Sequence, residues 1–353
     1  MANTSSPMTT VMHPEGPEDV FRVAAYHRRE FAFTVVYSDP QKLSAVQPFI
    51  SEPFPRPPSA HLGKMGCLPS ELLQDIFSYL DVLSSFRLRQ VNRVARGVVS
   101  TWPAYQDLSR HALEALRTAL RTGIAGWLLV SGIHRALRRS KCSQCDFFGP
   151  LLFLPTVERC CHRCLESSSN FRIASLTALS QVSGLTPSRL REWVPVLHTL
   201  PGRYSMRGSK YKLRLNMVAQ RDVLQRLSCL NIQPPLPTTI PHLKGRNSAY
   251  RCTMATAFPF IDDERPRVQE GLGCRGCLAT SEASGLSDRD ITLQQRDRSY
   301  SRKEFLIHLE LCEAAQKIWQ ASHRGVTGVS STEPVCISYG GFISEAEAKE
   351  YYK

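Results

Sequence analysis

A chain of 353 residues with 42% hydrophobic content is long enough for one large domain, or for two to three modest ones of about 150 residues each. Its longest mostly apolar run, at residues 123–133, is well short of the roughly 20 residues that a transmembrane helix needs, which argues against a membrane-spanning protein. The net charge of +13 is compatible with nucleic acid, an acidic protein partner or anionic lipid, although a solvated basic surface is its commonest explanation.

The N-terminal residues 1–66 carry nine prolines, and FAFTVVY at 31–37 is their only strand-like run. With no second run to pair with and little to bury, this segment is predicted to be a flexible, proline-rich leader. It lacks the basic flank and apolar core of a secretory signal. We therefore expect an intracellular protein of the cytoplasm or the nucleus, in which clustered cysteines stay reduced and are free to bind metal.

Residues 67–105 are predicted to form two amphipathic helices separated by a short break around Asp81. Pro69 suits a first helical position, and Glu71 places negative charge in the first turn. The first helix has one apolar face, and the second is expected to point four side chains inward. The apolar face consists of Leu68, Leu72, Leu73, Ile76, Phe77 and Leu80, and the inward side chains are Phe86, Val91, Val94 and Val98.

The order of residues in this stretch resembles the F-box motif of the receptors in SCF ubiquitin ligases. It runs from Leu68-Pro69 through Glu71-Leu72-Leu73, Ile76-Phe77 and Tyr79-Leu80 to Phe86-Arg87-Leu88-Arg89-Gln90-Val91-Asn92-Arg93. The resemblance implies that the apolar face docks onto the adaptor subunit, which bridges to the cullin scaffold. Ala95 departs from the pattern, because many F-boxes have a tryptophan there. The residues expected to contact the adaptor are Leu68, Pro69, Leu72, Leu73, Ile76, Phe77, Leu80 and Val91.

A helical connector is predicted at 106–140, and a first zinc module at 141–185. Cys142 and Cys145 form one C-x2-C pair, Cys161 and Cys164 form another, and 15 residues that read as a short hairpin separate the pairs. Two such pairs supply the four thiolates of a tetrahedral zinc site, with incidental reduced thiols as the alternative. A helix is expected after the second pair. Cys160 is interpreted as a buried or free thiol, because only Cys161 keeps the two-residue gap.

The C-terminal region at 186–325 is predicted to be helical and to contain a second zinc module. Cys274 and Cys277 form another C-x2-C pair, and His308 and Cys312 are four apart, on one face of a predicted helix. Together they make a ligand set of three cysteines and one histidine, unless His308 is an unrelated surface or core histidine. Glycines at 271, 273 and 276 spell G-x-G-x-x-G, but a polar loop follows them where a dinucleotide site needs a helix.

From residue 67 to about 320, the order of these features is similar to a large group of fungal F-box proteins with cysteine-rich C-terminal regions. The similarity implies an assembly role and names no substrate. No H-E-x-x-H, Walker loop or G-x-S-x-G occurs, and a set of four protein ligands leaves a zinc ion no position for water, so we expect a protein that is not an enzyme. Residues 326–353 are expected to be a tail.

We therefore expect a mainly α fold: F-box helices followed by an irregular helical region with small zinc-clamped hairpin and loop modules. The predicted helices cover 106–122, 125–139, 169–181, 187–198, 216–229 and 302–320, with short strands at the metal hairpin and near Tyr211. The preferred function is a substrate receptor that presents an unidentified protein to an SCF-type ligase. The alternative is a zinc-containing nucleic-acid-binding protein that uses its basic surface, which the arrangement of cysteines and aromatics disfavours.

Overall fold

The computed structural model describes residues 16–28, 30–53, 61–206, 208–229, 247–264, 267–283 and 289–326. Helices dominate this part of the chain, which confirms the predicted mainly α class. The α-helices are α1 (Pro17–Ala24), α2 (Glu30–Phe33), α3 (Pro40–Ile50), α4 (Ser70–Ser78), α5 (Val82–Val91), α6 (Arg93–Thr101), α7 (Pro103–His111), α8 (Leu113–Thr122), α9 (Val130–Leu137), α10 (His162–Ser167), α11 (Leu176–Ser183), α12 (Pro187–Trp193), α13 (Gln220–Cys229), α14 (Asn247–Cys252), α15 (Arg275–Ala283), α16 (Arg289–Arg296), α17 (Arg302–Leu311) and α18 (Glu313–Ala321).

The strands are short and form small antiparallel sheets. They are β1 (Ala25–His27), β2 (Leu151–Phe153), β3 (Glu158–Cys160), β4 (Ile173–Ser175), β5 (Leu197–His198), β6 (Gly202–Tyr204), β7 (Ser209–Tyr211), β8 (Asn216–Ala219), β9 (Ala255–Ala257), β10 (Phe260–Ile261), β11 (Val268–Gln269) and β12 (Leu272–Cys274). Two sheets have three strands, in the orders β3-β2-β9 and β4-β8-β5. Three pairs, β1-β12, β6-β7 and β10-β11, complete the described sheets.

The largest apolar core extends from the helices α4 to α6 to the hairpin β2–β3. Leu116 in α8 and Leu152 in β2 lie in it with no exposed surface. A second cluster joins α11, α12 and β8, and a third joins α1 to the C-terminal helices. No helix in the described part of the chain combines the length and the apolar character that crossing a bilayer requires.

The segment predicted as two helices at 67–105 contains three, because the chain breaks again at Asn92. The Asn92 side chain accepts a hydrogen bond from the Ala95 backbone N–H at 2.8 Å and so begins α6. Val91 consequently ends α5 with 69% of its surface exposed, so the prediction that it points inward is wrong. In α6, Ala95 and Val99 are buried, and the predicted Val98 is half-buried against the main core.

The end of α4 and the start of α5 are bonded directly to the segment that begins α9. Two backbone hydrogen bonds, from Val82 N–H to Leu128 at 2.9 Å and from Val130 N–H to Leu80 at 3.1 Å, join the two segments. The Ser131 hydroxyl adds a bond to the carbonyl of Ser78 at 2.8 Å. These three bonds hold the start of α9 against the end of α4.

The predicted flexible leader differs from the structure over residues 16–28 and 30–53. These residues form α1, β1, α2 and α3, and their side chains Val23, Phe31 and Val35 are each 1% exposed. β1 pairs with β12, some 250 positions later, and the backbone N–H of Val36 bonds to Ala255 at 2.9 Å. Residues 1–15, 29 and 54–60 of the predicted leader, and the predicted tail beyond 326, lie outside the described residues.

Three predicted helices contain strands at one end. The stretch at 216–229 begins with β8 before α13, the stretch at 187–198 ends with β5, and β4 precedes α11 in the stretch at 169–181. These strands pair with one another in one sheet, so distant partners outweigh the local helical preference. The strands expected at the metal hairpin and near Tyr211 are present as β2–β3 and β7.

Candidate metal centres and docking face

The structure brings the four predicted cysteines of the first set together. The sulfur atoms of Cys142, Cys145, Cys161 and Cys164 all lie within 4.8 Å of one another, and those of Cys145 and Cys161 are 3.7 Å apart. The first pair lies in the loop after α9, and the second pair begins α10, on the far side of the hairpin β2–β3. The hairpin therefore reverses the chain direction and brings the second cysteine pair next to the first.

Local hydrogen bonds to sulfur stabilise the turn at each of the two C-x2-C pairs. The backbone N–H of Gln144 donates to the Cys142 sulfur at 3.4 Å, and that of Cys164 donates to the Cys161 sulfur at the same distance. Cys161 is thus the N-cap of α10, as the predicted helix after the second pair requires. Backbone N–H groups directed at sulfur favour its anionic form, which is the form that binds a metal.

The thiols of the first set also influence one another. Hydrogen bonds with the Cys161 and Cys164 side chains lower the pKa of Cys142 to about 2. A hydrogen bond with Cys161 lowers the pKa of Cys145 to about 7, although burial opposes this effect. The pKa of Cys161 is correspondingly raised by its bonds to Cys142 and Cys145. Hydrogen bonding within the set thus favours the thiolate form at Cys142 and Cys145, and a thiolate is the form that binds a metal.

Cys160 stands apart from this set. It lies on β3, is fully buried in the main core, and has a pKa raised by that burial. Its side chain therefore packs as a small apolar group. This arrangement agrees with the residue spacing, which favoured Cys161 as the ligand.

The second predicted set is also assembled. Cys274 ends β12, Cys277 lies in α15, His308 lies in α17 and Cys312 is the N-cap of α18, and their ligand atoms lie within 4.8 Å of one another. The Cys277 sulfur is 3.3 Å from Nε2 of His308 and 3.9 Å from the Cys312 sulfur. The single helix predicted for 302–320 is interrupted at Cys312, which places the cysteine between α17 and α18.

The glycines of the G-x-G-x-x-G pattern lie where other parts of the chain pack closely against the second set. A side chain at Gly276 would place its Cβ 2.3 Å from the backbone nitrogen of Ala315, and one at Gly273 would meet Tyr26 at 2.6 Å. Gly271 has a φ of +99°, which L side chains rarely adopt. These glycines let α15 approach α18, and let β12 approach the N-terminal strand β1.

A third group, which sequence spacing did not indicate, lies beside the first set. Ligand atoms of His162, Glu166 and Cys252 are within 4.8 Å of one another, and Nδ1 of His162 is 3.7 Å from the Glu166 carboxylate. Phe31 stacks on the His162 ring at 4.9 Å. Cys252 comes from α14, nearly 90 positions away, so only the fold brings it here. With three potential ligands, the group is less complete than the two sets of four.

The apolar positions of α4 divide between two faces. Leu73 and Phe77 are 7% and 2% exposed and pack in the main core, so the prediction that they contact a partner is corrected. Leu72 and Ile76 are 48% and 43% exposed, and Tyr79, absent from the predicted set, is 80% exposed. Spacings of four and three residues put these three on one helical face. We call Leu72, Ile76 and Tyr79 the outer face of α4.

The other predicted contact residues differ in exposure. Leu68 and Leu80 are half-buried against the main core, whereas Pro69 and Val91 are exposed. Val91 lies at the end of α5, where the break at Asn92 turns it outward. A contact with a partner by these residues stays a prediction.

Comparisons with known proteins bear on this segment. No curated protein matches the chain, and no solved structure does. Residues 65–105, which include α4, α5 and α6, match the family model of the F-box domain. The chain therefore carries an F-box domain at residues 65–105.

Proposed function

We propose that this protein is a substrate receptor of an SCF-type ubiquitin ligase. Its F-box would dock onto the adaptor subunit and through it join the cullin scaffold. The observation that supports this most is the outer face of α4, which exposes three large apolar side chains within the matched F-box segment. Such a patch on a helix is typical of a protein interface.

The rest of the chain would present a protein substrate and perform no chemistry of its own. Ubiquitin transfer would then be carried out by other subunits of the ligase. The direct attachment of α9 to the F-box supports this role, because it gives a bound substrate a fixed direction from the adaptor.

Each set of four ligands is proposed to hold one structural Zn2+. Three or four cysteines, with a histidine as the fourth ligand in the second set, match the soft and borderline donors that zinc prefers. Four protein ligands leave no position for water or substrate, so the ion would cross-link the chain. At each set the metal would join segments that are distant in sequence and already packed in an apolar cluster.

The adaptor interface can be tested by co-purification of the full chain with the SCF adaptor subunit. Replacing Leu72 and Ile76 by glutamate should abolish the complex, because two charges would be buried against an apolar partner. The matched control is Leu224→Glu on α13, since Leu224 is 44% exposed and lies outside the F-box. The control should keep the complex. A double variant that still binds the adaptor would contradict the assignment of this face.

A further inference from the structure

A cleft lies beside the first set of cysteines, at the C-terminal end of α9. It has a volume of about 670 Å3, and its walls come from the last turn of α9, the loop that follows and the turn of the hairpin β2–β3. Its lining includes the cationic side chains of Arg135, Arg139 and Lys141 and the apolar side chains of Val157 and Phe260. Cys142 of the first set also lines the cleft, whereas none of the lining residues belongs to the segment 65–105.

The cleft carries an excess of positive charge. The side chains of Arg135, Arg139 and Lys141 are exposed, and within the described residues none of them forms an ion pair. Arg138 is already engaged, because its guanidinium contacts Asp107 at 2.7 Å and also Asp263. Three uncompensated cations within one concave surface favour an anionic occupant.

Two acidic side chains also line the cleft. Glu158 is 3.0 Å from Arg221, outside the cleft, and that contact satisfies its charge. Asp146 is exposed at the rim and opposes the cations. With one acidic group against three cations, the balance remains positive.

The floor of the cleft is held in place by a buried arginine. Arg159 is 3% exposed, and its guanidinium donates to four backbone carbonyls, those of Gly149, Ala136, Pro259 and Phe258, at 2.8 to 3.1 Å. These bonds tie α9, the metal loop and the segment before β10 together. A surface that is fixed before binding loses little entropy when a ligand arrives.

We propose that this cleft binds an acidic segment of the substrate protein, with carboxylates on the guanidinium groups and an apolar side chain against Val157 and Phe260. This inference rests on the proposed receptor function and names its substrate class. Arginine is suited to the role, because its planar donors match a carboxylate with two parallel hydrogen bonds. Since α9 is bonded to the F-box, the segment would be held at a set distance from the adaptor.

The test uses the full chain and a fluorescein-labelled peptide, Asp-Glu-Glu-Phe-Glu-Asp, followed by fluorescence anisotropy. Binding should weaken as salt rises, and the amide analogue Asn-Gln-Gln-Phe-Gln-Asn should not bind. Replacing Arg135 and Arg139 by glutamate should raise Kd about tenfold, as expected for several exposed ion pairs of modest strength. A neutral variant, Arg135→Gln with Arg139→Gln, should give a smaller rise and guards against misfolding caused by reversed charge.

Arg191→Glu is the matched control. Arg191 is exposed and lies in the last turn of α12, as Arg135 lies in the last turn of α9, but it is outside the cleft. Equal losses in the control and in the cleft variants would overturn the proposal, because the effect would then be one of overall charge. Failure of the wild-type chain to bind the acidic peptide would also overturn it.

Two further arms separate the possible failures. The first arm measures binding of a single-stranded oligonucleotide of the same net charge. If it binds as tightly as the peptide and loses affinity in the same cleft variants, the peptide assignment is overturned in favour of a general polyanion site. Adaptor co-purification of the cleft variants should be unchanged. If the wild-type chain binds the peptide but no adaptor, the receptor function fails while the cleft assignment stands.

Discussion

Cys161 performs two tasks with one sulfur atom. It begins α10 by accepting the backbone N–H of Cys164, and it lies within 4.8 Å of three other cysteine sulfurs. The helix start and the ligand set therefore depend on the same side chain. A serine at this position could still cap the helix but would remove the soft ligand, so the two tasks can be separated by substitution.

The first prediction concerns the metal content of the first set. Replacing Cys142 and Cys145 by serine should lower bound zinc by one ion per chain, because two of the four ligands are lost. A structural zinc contributes on the order of 10 kcal/mol to the folding of its module, so the variant should also unfold more easily. Elemental analysis by plasma mass spectrometry, together with thermal denaturation, measures both effects.

The control for this experiment is the pair Cys67→Ser and Cys229→Ser. Both cysteines are exposed and lie outside the two sets. Zinc content should be unchanged in the control. An equal loss in both pairs, or no loss in the first, would contradict the assignment of the first set.

Spacing along the chain identified the two sets of four ligands because a C-x2-C pair is a local feature. The group of His162, Glu166 and Cys252 has no such signature, since its members come from α10 and α14. Tyr79 was missed for a different reason. Sequence periodicity shows that α4 is amphipathic, but it does not show which side chains at the edge of its apolar face are covered by the rest of the fold.

The helix α4 presents apolar side chains to both sides, so its two faces can be tested separately. Alanine at Leu73 and Phe77 should reduce the free energy of unfolding by about 2 to 5 kcal/mol for each residue, because both leave cavities in the core. Alanine at Leu72 and Ile76 should change it by less than about 0.5 kcal/mol, because these side chains are already half exposed. Urea denaturation of the free protein measures both values.

Among variants that remain folded, adaptor affinity should fall more for the outer-face pair, Leu72 and Ile76, than for the core pair, Leu73 and Phe77. The outer-face variants should lose the adaptor while keeping wild-type stability. If the outer-face pair destabilised the free protein as much as the core pair, the division of α4 into two faces would be contradicted.

At the level of elements, helices that depend on local sequence were predicted well, whereas strands that depend on distant partners were predicted poorly. α4 follows from periodicity, whereas the helix expected after the second cysteine pair is divided into α10 and α11 by β4. The break at Asn92 had a local cause, a side-chain cap, which the apolar pattern did not reveal. The strands β4, β5 and β8 depend on one another for their hydrogen bonds, so no single stretch of sequence contains the information that makes them strands.

At the scale of the whole molecule, the N-terminal segment is joined to the second metal set. β1 pairs with β12, which carries Cys274, and α1 packs against α17 and α18. The ring of Phe21 lies 5.9 Å from that of Phe305, in the same apolar cluster as Cys274 and Cys277. The prediction of a flexible leader failed here because the partners of these residues lie at the opposite end of the chain.

Phe21→Ala should therefore weaken the second metal set although Phe21 is not a ligand. We expect a loss of about 3 kcal/mol in the free energy of unfolding and faster release of one zinc ion to a chelator. Phe49→Ala on α3 is the matched control, because Phe49 is 63% exposed and should change neither property. Chelator competition followed by absorbance gives the release rates. Identical rates in wild type and Phe21→Ala would contradict the coupling.

The pairing of β1 with β12 also determines when the protein can finish folding during its synthesis. The ribosome makes α1 and β1 first, but their partners Leu272–Cys274 and Phe305 emerge only after most of the chain has been made. Until then Phe21 and Ala25 have no buried neighbours from that module, and chaperones can bind them. A chain that stops before Leu272 leaves this apolar segment without its partners and lacks all four ligands of the second set. An incomplete chain would therefore expose α1 and β1 as an apolar segment that chaperones can recognise.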